Sequence, residues 1–133
     1  MDNYKIIIVD ENAILRSAVR IMISRIPEMQ VIDETNKGSN LLNKLAETSC
    51  DLVWMDTALP DMDGYEILSQ IKNVYPVVKI LIYTSGHEKE HIDRLLDTGV
   101  QGILLKDDYF SVIPIAIQAI REGGTYYSEN LIY

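Results

Sequence analysis

The sequence predicts an α/β fold: a single domain built on one doubly wound sheet of five parallel strands, with helices on both faces. Three observations carry this. Five short apolar runs punctuate the chain, and their apolarity is continuous rather than alternating, as expected of strands covered on both sides. Each run is followed by a stretch of helical periodicity. The 133 residues suit one compact domain and leave no room for two.

The first run is Ile6-Ile7-Ile8-Val9, followed by a helix over 12–25. The second, Val31-Ile32, precedes a helix over 39–47, and the third, Leu52-Val53-Trp54-Met55, precedes one over 64–75. Ile80-Leu81-Ile82-Tyr83 leads to a helix over 87–97, and Ile103-Leu104-Leu105 to one over 111–122. Ser39 and Ser111 are expected N-caps, and Gly99 and Gly123 stand where helices should stop. Pro114 falls in a first helical turn, where its missing N–H costs little. Residues 125–133 have no clear period and read as the start of a linker or tail, so the domain is expected to occupy 1–124.

Composition narrows the function. Hydrophobic residues make up 47% of the chain, enough for a real core and against intrinsic disorder. The net charge of −8 would repel a phosphate backbone, so this segment is not expected to grip nucleic acid by itself. Cys50 is the only cysteine, which excludes an internal disulfide and suits a reducing compartment. The start of the chain lacks the long apolar stretch of a signal peptide, and no run approaches the ~20 residues of a membrane helix. A cytoplasmic location is the expectation, with no membrane partner.

In an open α/β sheet, ligands bind beyond the carboxyl ends of the strands. Asp10 and Glu11 follow the first run, Asp56 the third, Thr84 the fourth and Lys106 the fifth. One acid after a strand is often only a loop residue or a cap. Several sharing a site are another matter, since two carboxylates ~4 Å apart repel by about 4 kcal/mol at an effective dielectric of 20. Three acids at one edge call for a cation, and hard oxygen ligands suit Mg²⁺. A metal-loaded carboxylate site with Lys and Thr beside it suits phosphoryl transfer, with the Asp56 carboxylate as nucleophile.

The chain resembles the receiver (CheY-like, flavodoxin-like) family of response regulators from about Tyr4 to Gly124. The carrying segments are Ile6-Ile7-Ile8-Val9-Asp10-Glu11, Met55-Asp56-Thr57-Ala58-Leu59-Pro60-Asp61-Met62-Asp63-Gly64, Tyr83-Thr84-Ser85 and Gly102-Ile103-Leu104-Leu105-Lys106-Asp107. The resemblance implies that Asp56 accepts a phosphoryl group from a sensor histidine kinase. It implies a Mg²⁺ site formed by Asp10, Glu11, Asp56 and the backbone carbonyl of Ala58, with Thr84 and Lys106 contacting phosphoryl oxygens. Such a domain is a phosphoacceptor that catalyses its own phosphotransfer and dephosphorylation, not an enzyme acting on other substrates. Two positions depart from the family pattern. Glu11 stands where a second Asp is more usual, and Ile103 where a switch Tyr or Phe often stands.

Other readings compete. His87-Glu88-Lys89-Glu90-His91 fits the zincin pattern H-E-x-x-H, but no third histidine exists and the segment is very polar, so a solvated helix is the simpler reading. A Mg²⁺-dependent phosphatase with an aspartate nucleophile would place its Asp pair after the first strand at D-x-D spacing. An FMN-binding module would need hydroxyl and glycine residues where Asp10 and Glu11 stand. Trp54 reads as packing beside the site.

Two helices carry more apolar residues than one face needs. Val112, Ile115, Ala116 and Ala119 are expected to form the core stripe of the last helix, and Ile113, Ile117 and Ile120 a second stripe beside it. In the first helix Leu15, Ala18, Val19, Met22 and Ile26 form the stripe, and Ile14, Ile21 and Ile23 lie off it. The excess is read as a broad core contact or as a surface for homodimerisation on phosphorylation. The fourth helix, with only Ile92, Leu95 and Leu96 apolar, is the easiest element to displace. Arg16, Leu105-Lys106-Asp107 and Gly123-Gly124-Thr125-Tyr126-Tyr127-Ser128 resemble the NarL/FixJ-type subgroup. That resemblance implies transcriptional control through a helix-turn-helix DNA-binding domain following the receiver; a stand-alone receiver acting on a protein partner is the alternative.

Overall fold

The computed structural model describes residues 3–86 and 88–131. Strands β1 (Tyr4–Val9), β2 (Met29–Thr35), β3 (Leu52–Met55), β4 (Lys79–Thr84) and β5 (Gly102–Leu105) alternate with helices α1 (Ala13–Ser24), α2 (Gly38–Glu47), α3 (Gly64–Val74), α4 (Lys89–Asp97) and α5 (Val112–Arg121). A sixth strand, β6 (Tyr126–Tyr127), completes a sheet of order β2-β1-β3-β4-β5-β6 in which every pairing is parallel.

The apolar runs are continuous because side chains alternate between two buried layers. Ile6, Ile8, Trp54, Leu81, Tyr83 and Leu104 pack against α1 and α5, while Ile7, Val9, Val53, Met55, Ile82 and Ile103 pack against α2, α3 and α4. All four residues of β3 and of β5 are buried. At about 1.5–3 kcal/mol for each large aliphatic side chain buried, both faces of the central strands stabilise the fold. The outer strand β2 is only half buried and carries Asp33 and Glu34, charge that suits a sheet edge.

The sheet has one strand more than the sequence suggests. Residues 125–131, expected to begin a linker, stay on the domain: Tyr126 N–H donates to Gln101 O (2.9 Å) and Ser128 N–H to Ile103 O (2.8 Å). Asp108 fastens the residues just beyond β6. Its Oδ1 accepts from Ser128 Oγ at 2.9 Å and Asn130 Nδ2 at 2.6 Å, and its Oδ2 from Leu105 N–H at 2.9 Å. A two-residue strand is too short to leave a period in the sequence. Residues 132 and 133 of that tail, and His87 of the H-E-x-x-H pattern, lie outside the described residues.

The helix ends follow partly different rules from those expected. Asn12 caps α1 by accepting from Leu15 N–H, and Asp63 caps α3 by accepting from Tyr65 N–H. Ser39 lies inside α2 instead of capping it. The free N–H groups of Gly38 and Ser39 donate to the carboxylate of Asp61, at 2.8 and 3.0 Å. These bonds, the one from Ser39 first, hold the Asp61 carboxyl below the usual aspartate range. Ser111 occupies the cap position of α5 but makes no side-chain cap bond. Gly99 and Gly123 adopt φ of +77° and +92°, the left-handed conformation that ends a helix.

The expected faces of α5 are exchanged. Ile113, Ala116, Ile117 and Ile120 are the buried set, whereas Ile115 is 58% exposed. In α1, Ile23 is buried with Val19, while Ile14 and Ile21 point outward, 85% and 45% exposed. In both helices isoleucines stand on the exposed side as well as the buried one, so apolarity alone does not orient them.

Removal of residues 125–133 should leave the carbonyls of Gln101 and Ile103 without their strand partners and Asp108 without two donors. At about 0.5–1.5 kcal/mol net per lost hydrogen bond, the truncated chain should lose about 2–6 kcal/mol, read from urea midpoints. An unchanged midpoint would show that β6 adds nothing to the fold.

Candidate functional site

The order of the sheet reverses between β1 and β3, and the carboxyl ends of these two strands open the crevice where a doubly wound fold binds ligands. Asp10 follows β1 and Asp56 follows β3. Backbone bonds fix both: Asp10 N–H donates to Thr35 O at 3.1 Å, and Asp56 N–H to Val9 O at 3.0 Å. Both residues are buried, 2% and 7% exposed.

One ammonium faces both carboxylates. Lys106 Nζ lies 3.0 Å from Asp10 Oδ2 and 2.6 Å from Asp56 Oδ2. The other oxygens accept from the backbone, Asp10 Oδ1 from Asn12 N–H at 2.9 Å and Asp56 Oδ1 from Ala58 N–H at 3.1 Å. Burial opposes the charged form of Lys106, but its hydrogen bonds to Asp56 and Asp10 outweigh that and raise its pKa above 10.5. An open pocket of about 320 Å³ lies over the group, lined by Asp10, Glu11, Asn12, Asp56, Ala58 and Lys106.

Five of the six residues singled out from the sequence therefore share one pocket. Thr84 is placed differently. Its carbonyl accepts from Lys106 N–H at 2.8 Å, which ties the ends of β4 and β5 together. Its buried hydroxyl accepts from Gly86 N–H at 3.1 Å and lies 3.2 Å from Nε2 of His91 on α4.

Residues 6–118 match the response regulator receiver domain family. The chain belongs to that family. It is 30% identical over 128 residues to the response regulator protein VraR of Staphylococcus epidermidis, covering 96% of this chain and 61% of that protein. It is 26% identical over 122 residues to the transcriptional regulatory protein DegU of Brevibacillus brevis, covering 92% of this chain and 52% of that one. The chain thus spans about half to three fifths of the length of these curated relatives. The Salmonella typhimurium RcsB response regulator superposes with a TM-score of 0.93 at 25% identity, over 98% of this chain and 64% of that one. The isolated receiver domain of RcsB from Salmonella enterica serovar Typhimurium, with a beryllofluoride phosphomimetic, gives 0.93 at 24% identity, over 98% and 96% of the two chains. These relatives support the NarL/FixJ-type subgroup.

Receivers hold Mg²⁺ at their acidic site, and the donors present here fit that ion. Asp10, Asp56, Glu11 and the Ala58 carbonyl are hard oxygens around an open pocket, and Mg²⁺ takes few protein ligands and keeps several waters. They do not form a ready cage of three acids: among the described residues no such cluster of metal-ligating side chains is gathered. Lys106 stands against both buried carboxylates, and Glu11 is exposed.

Three contributors were not legible as such. Arg16 donates from Nη1 to the Asp10 carbonyl at 2.6 Å while its Nε pairs with Glu34 at 3.1 Å, so β2 and α1 together anchor the loop that carries Asp10. Arg16 stands out in the sequence only as a mark of subgroup. Gly64 lets α3 start against the acceptor loop, since a Cβ there would lie 2.4 Å from Thr57 O. His91 is visible in the sequence only as half of a zinc pattern.

Replacement of Lys106 by Met should leave two buried carboxylates facing each other without a cation. Charge-assisted bonds of this kind contribute about 1.5–3 kcal/mol each, less in an open pocket, so a loss of about 1–3 kcal/mol at pH 7 is expected in urea unfolding. Because the folded pKa of Lys106 is raised, its contribution is complete below pH 10.5 and is lost only as the pH climbs through the raised value. The deficit of the variant should accordingly be constant from neutrality to pH 10 and shrink above it.

Proposed function

We propose that this receiver accepts a phosphoryl group on Asp56 from a sensor histidine kinase and relays the change to an output that controls transcription. The observation that carries the reading is the buried Asp10–Lys106–Asp56 group beneath an open pocket of oxygen donors. An Asp56 carboxylate oxygen forms a bond to phosphorus as the P–N bond of a phosphohistidine breaks, and the imidazole leaves with the electron pair. Bound Mg²⁺ supplies positive charge for the phosphoryl oxygens. Lys106 turns its ammonium from Asp56 to a phosphoryl oxygen, Asp10 and Glu11 balance the metal, and Ala58 N–H keeps the acceptor loop closed. Self-catalysed loss of the phosphoryl group to water belongs to the same reading.

The name of DegU, a transcriptional regulatory protein, and the DNA interaction described for RcsB support a transcriptional output through a DNA-binding domain that would follow residue 133; a cytoplasmic location belongs to the same reading. Among the described residues no helix is long and apolar enough to cross a membrane. The receiver itself carries too much negative charge to hold DNA.

Phosphorylation would favour a homodimer through α1 and α5. Ile14 and Ile115 are exposed on these helices, and Ile26, Pro114, Ile115 and Ala119 line a shallow apolar groove there. Ile117, attractive from the sequence as part of that surface, belongs to the core.

Acetyl phosphate with Mg²⁺ should add one phosphoryl group to the parent and none to Asp56→Asn, read by intact mass. Equal labelling of the variant would overturn the assignment. Glu11→Ala should bind Mg²⁺ several-fold more weakly, whereas Glu11→Asp should match or exceed the parent. The replacement Ile115→Lys should leave labelling intact and keep the phosphorylated protein monomeric in light scattering; a dimer would move the interface elsewhere.

A further inference from the structure

His91 sits between two elements that the site must coordinate. It projects from α4 with Nε2 at 3.2 Å from the Thr84 hydroxyl, and its Nδ1 is hydrogen bonded to the Tyr65 hydroxyl of α3. The two rings also meet edge to face with centroids 5.9 Å apart, and the Arg94 guanidinium lies 3.7 Å over the Tyr65 ring. Ile103, on the neighbouring strand, is fully buried and has no polar atom with which to reach Thr84. On the α4 side, the threonine is addressed by an imidazole.

Two placements of the hydrogens satisfy this row, and they differ in the tautomer of His91. Burial, opposed by Arg94 and reinforced by Asp63, raises the Tyr65 pKa, so the phenol keeps its proton. Burial likewise lowers the His91 pKa, against the pull of Glu88 and Asp56 and with the help of Arg94, so the imidazole is neutral near pH 7. A neutral imidazole has one donor nitrogen and one acceptor. The phenol, the more acidic of the two groups, is the favoured donor to Nδ1. Nε2 then carries the imidazole hydrogen and donates it to Thr84 Oγ1, which also accepts from Gly86 N–H. With both lone pairs of Oγ1 engaged, the hydroxyl hydrogen of Thr84 is left for another acceptor. The opposite tautomer would consume that hydrogen on Nε2.

We propose that His91 is a positioning residue for the phosphorylated site: oriented by Tyr65, it holds Thr84 as a hydrogen-bond donor to the phosphoryl group and links that bond to α4. This rests on the reading of Asp56 as phosphoacceptor. His91 does not touch the reacting atoms and acts only through Thr84. Its effects fall on retention of the charged product and on the response of α4.

The test uses beryllofluoride with Mg²⁺ on the full chain, with labelling by acetyl phosphate as a separate measurement. His91→Ala should still be labelled on Asp56 yet bind beryllofluoride about tenfold more weakly. His91→Gln, which keeps an amide donor, should recover most of that loss, and Tyr65→Phe should fall between. In a Thr84→Ala background, His91→Ala should have no further effect, because both changes remove one interaction. Imidazole nitrogen shifts of the parent should report the Nε2–H tautomer, a readout that needs no substitution and survives any folding defect of a variant. Parent-like affinity in His91→Ala, additivity with Thr84→Ala, or an Nδ1–H tautomer would each overturn the proposal. A parent that neither labels nor binds beryllofluoride would instead remove the phosphoacceptor reading beneath it.

Discussion

Asp10 and Asp56 are buried at the ends of adjacent strands, and a single ammonium, Lys106, faces both. Among the described residues, two carboxylates against one ammonium leave a negative charge in excess, on side chains buried beneath an open pocket. Such an arrangement is costly unless the surrounding groups are fixed to compensate it. Much of the local structure answers that need. Backbone N–H groups of Asn12 and Ala58 take the remaining carboxylate oxygens, and Arg16 brings a second positive charge against the Asp10 carbonyl. The same excess makes the site hospitable to a divalent cation, which would relieve the imbalance and offset the negative charge that a phosphoryl group adds.

Strand register turns that local balance into a property of the whole fold. The carboxylates are neighbours because Val9 pairs with Met55, which sets the two strand ends level. Lys106 reaches them because its N–H bonds to Thr84 O, which ties the end of β5 to that of β4. On the far side of Lys106, Asp108 holds Leu105, Ser128 and Asn130. Thr84 and the segment after β6 are thus both hydrogen bonded to Lys106 or to a residue within two positions of it.

The layout of strands and the five pocket residues could be read from the sequence because each signal is local. A continuous apolar run ending in a charged residue states both that a strand is buried and where it meets the site. What could not be read depends on contacts between segments distant in sequence. Asp61 caps a helix that begins 23 residues earlier, and no local pattern announces it. β6 is defined by the edge of β5 rather than by its own two residues. The faces of α1 and α5 were ambiguous because each helix places isoleucine on its exposed side as well as its buried one. His91 and Tyr65, 26 residues apart, gain meaning only from the packing of α3 against α4.

Trp54, the sole tryptophan, is fully buried in the α1–α5 layer with its ring 5.1 Å from that of Tyr83. The β-sheet stands between this pair and the layer that holds α4. Emission excited selectively from Trp54 is therefore a one-sided optical probe, whereas Tyr65 and Tyr75 lie on the other side of the sheet. It responds to changes in packing or polarity beneath α1 and α5, and the sheet shields it from rearrangements confined to α4. A fluorescence change and a silent spectrum would thus distinguish signals that cross the sheet from those that stay on one side of it.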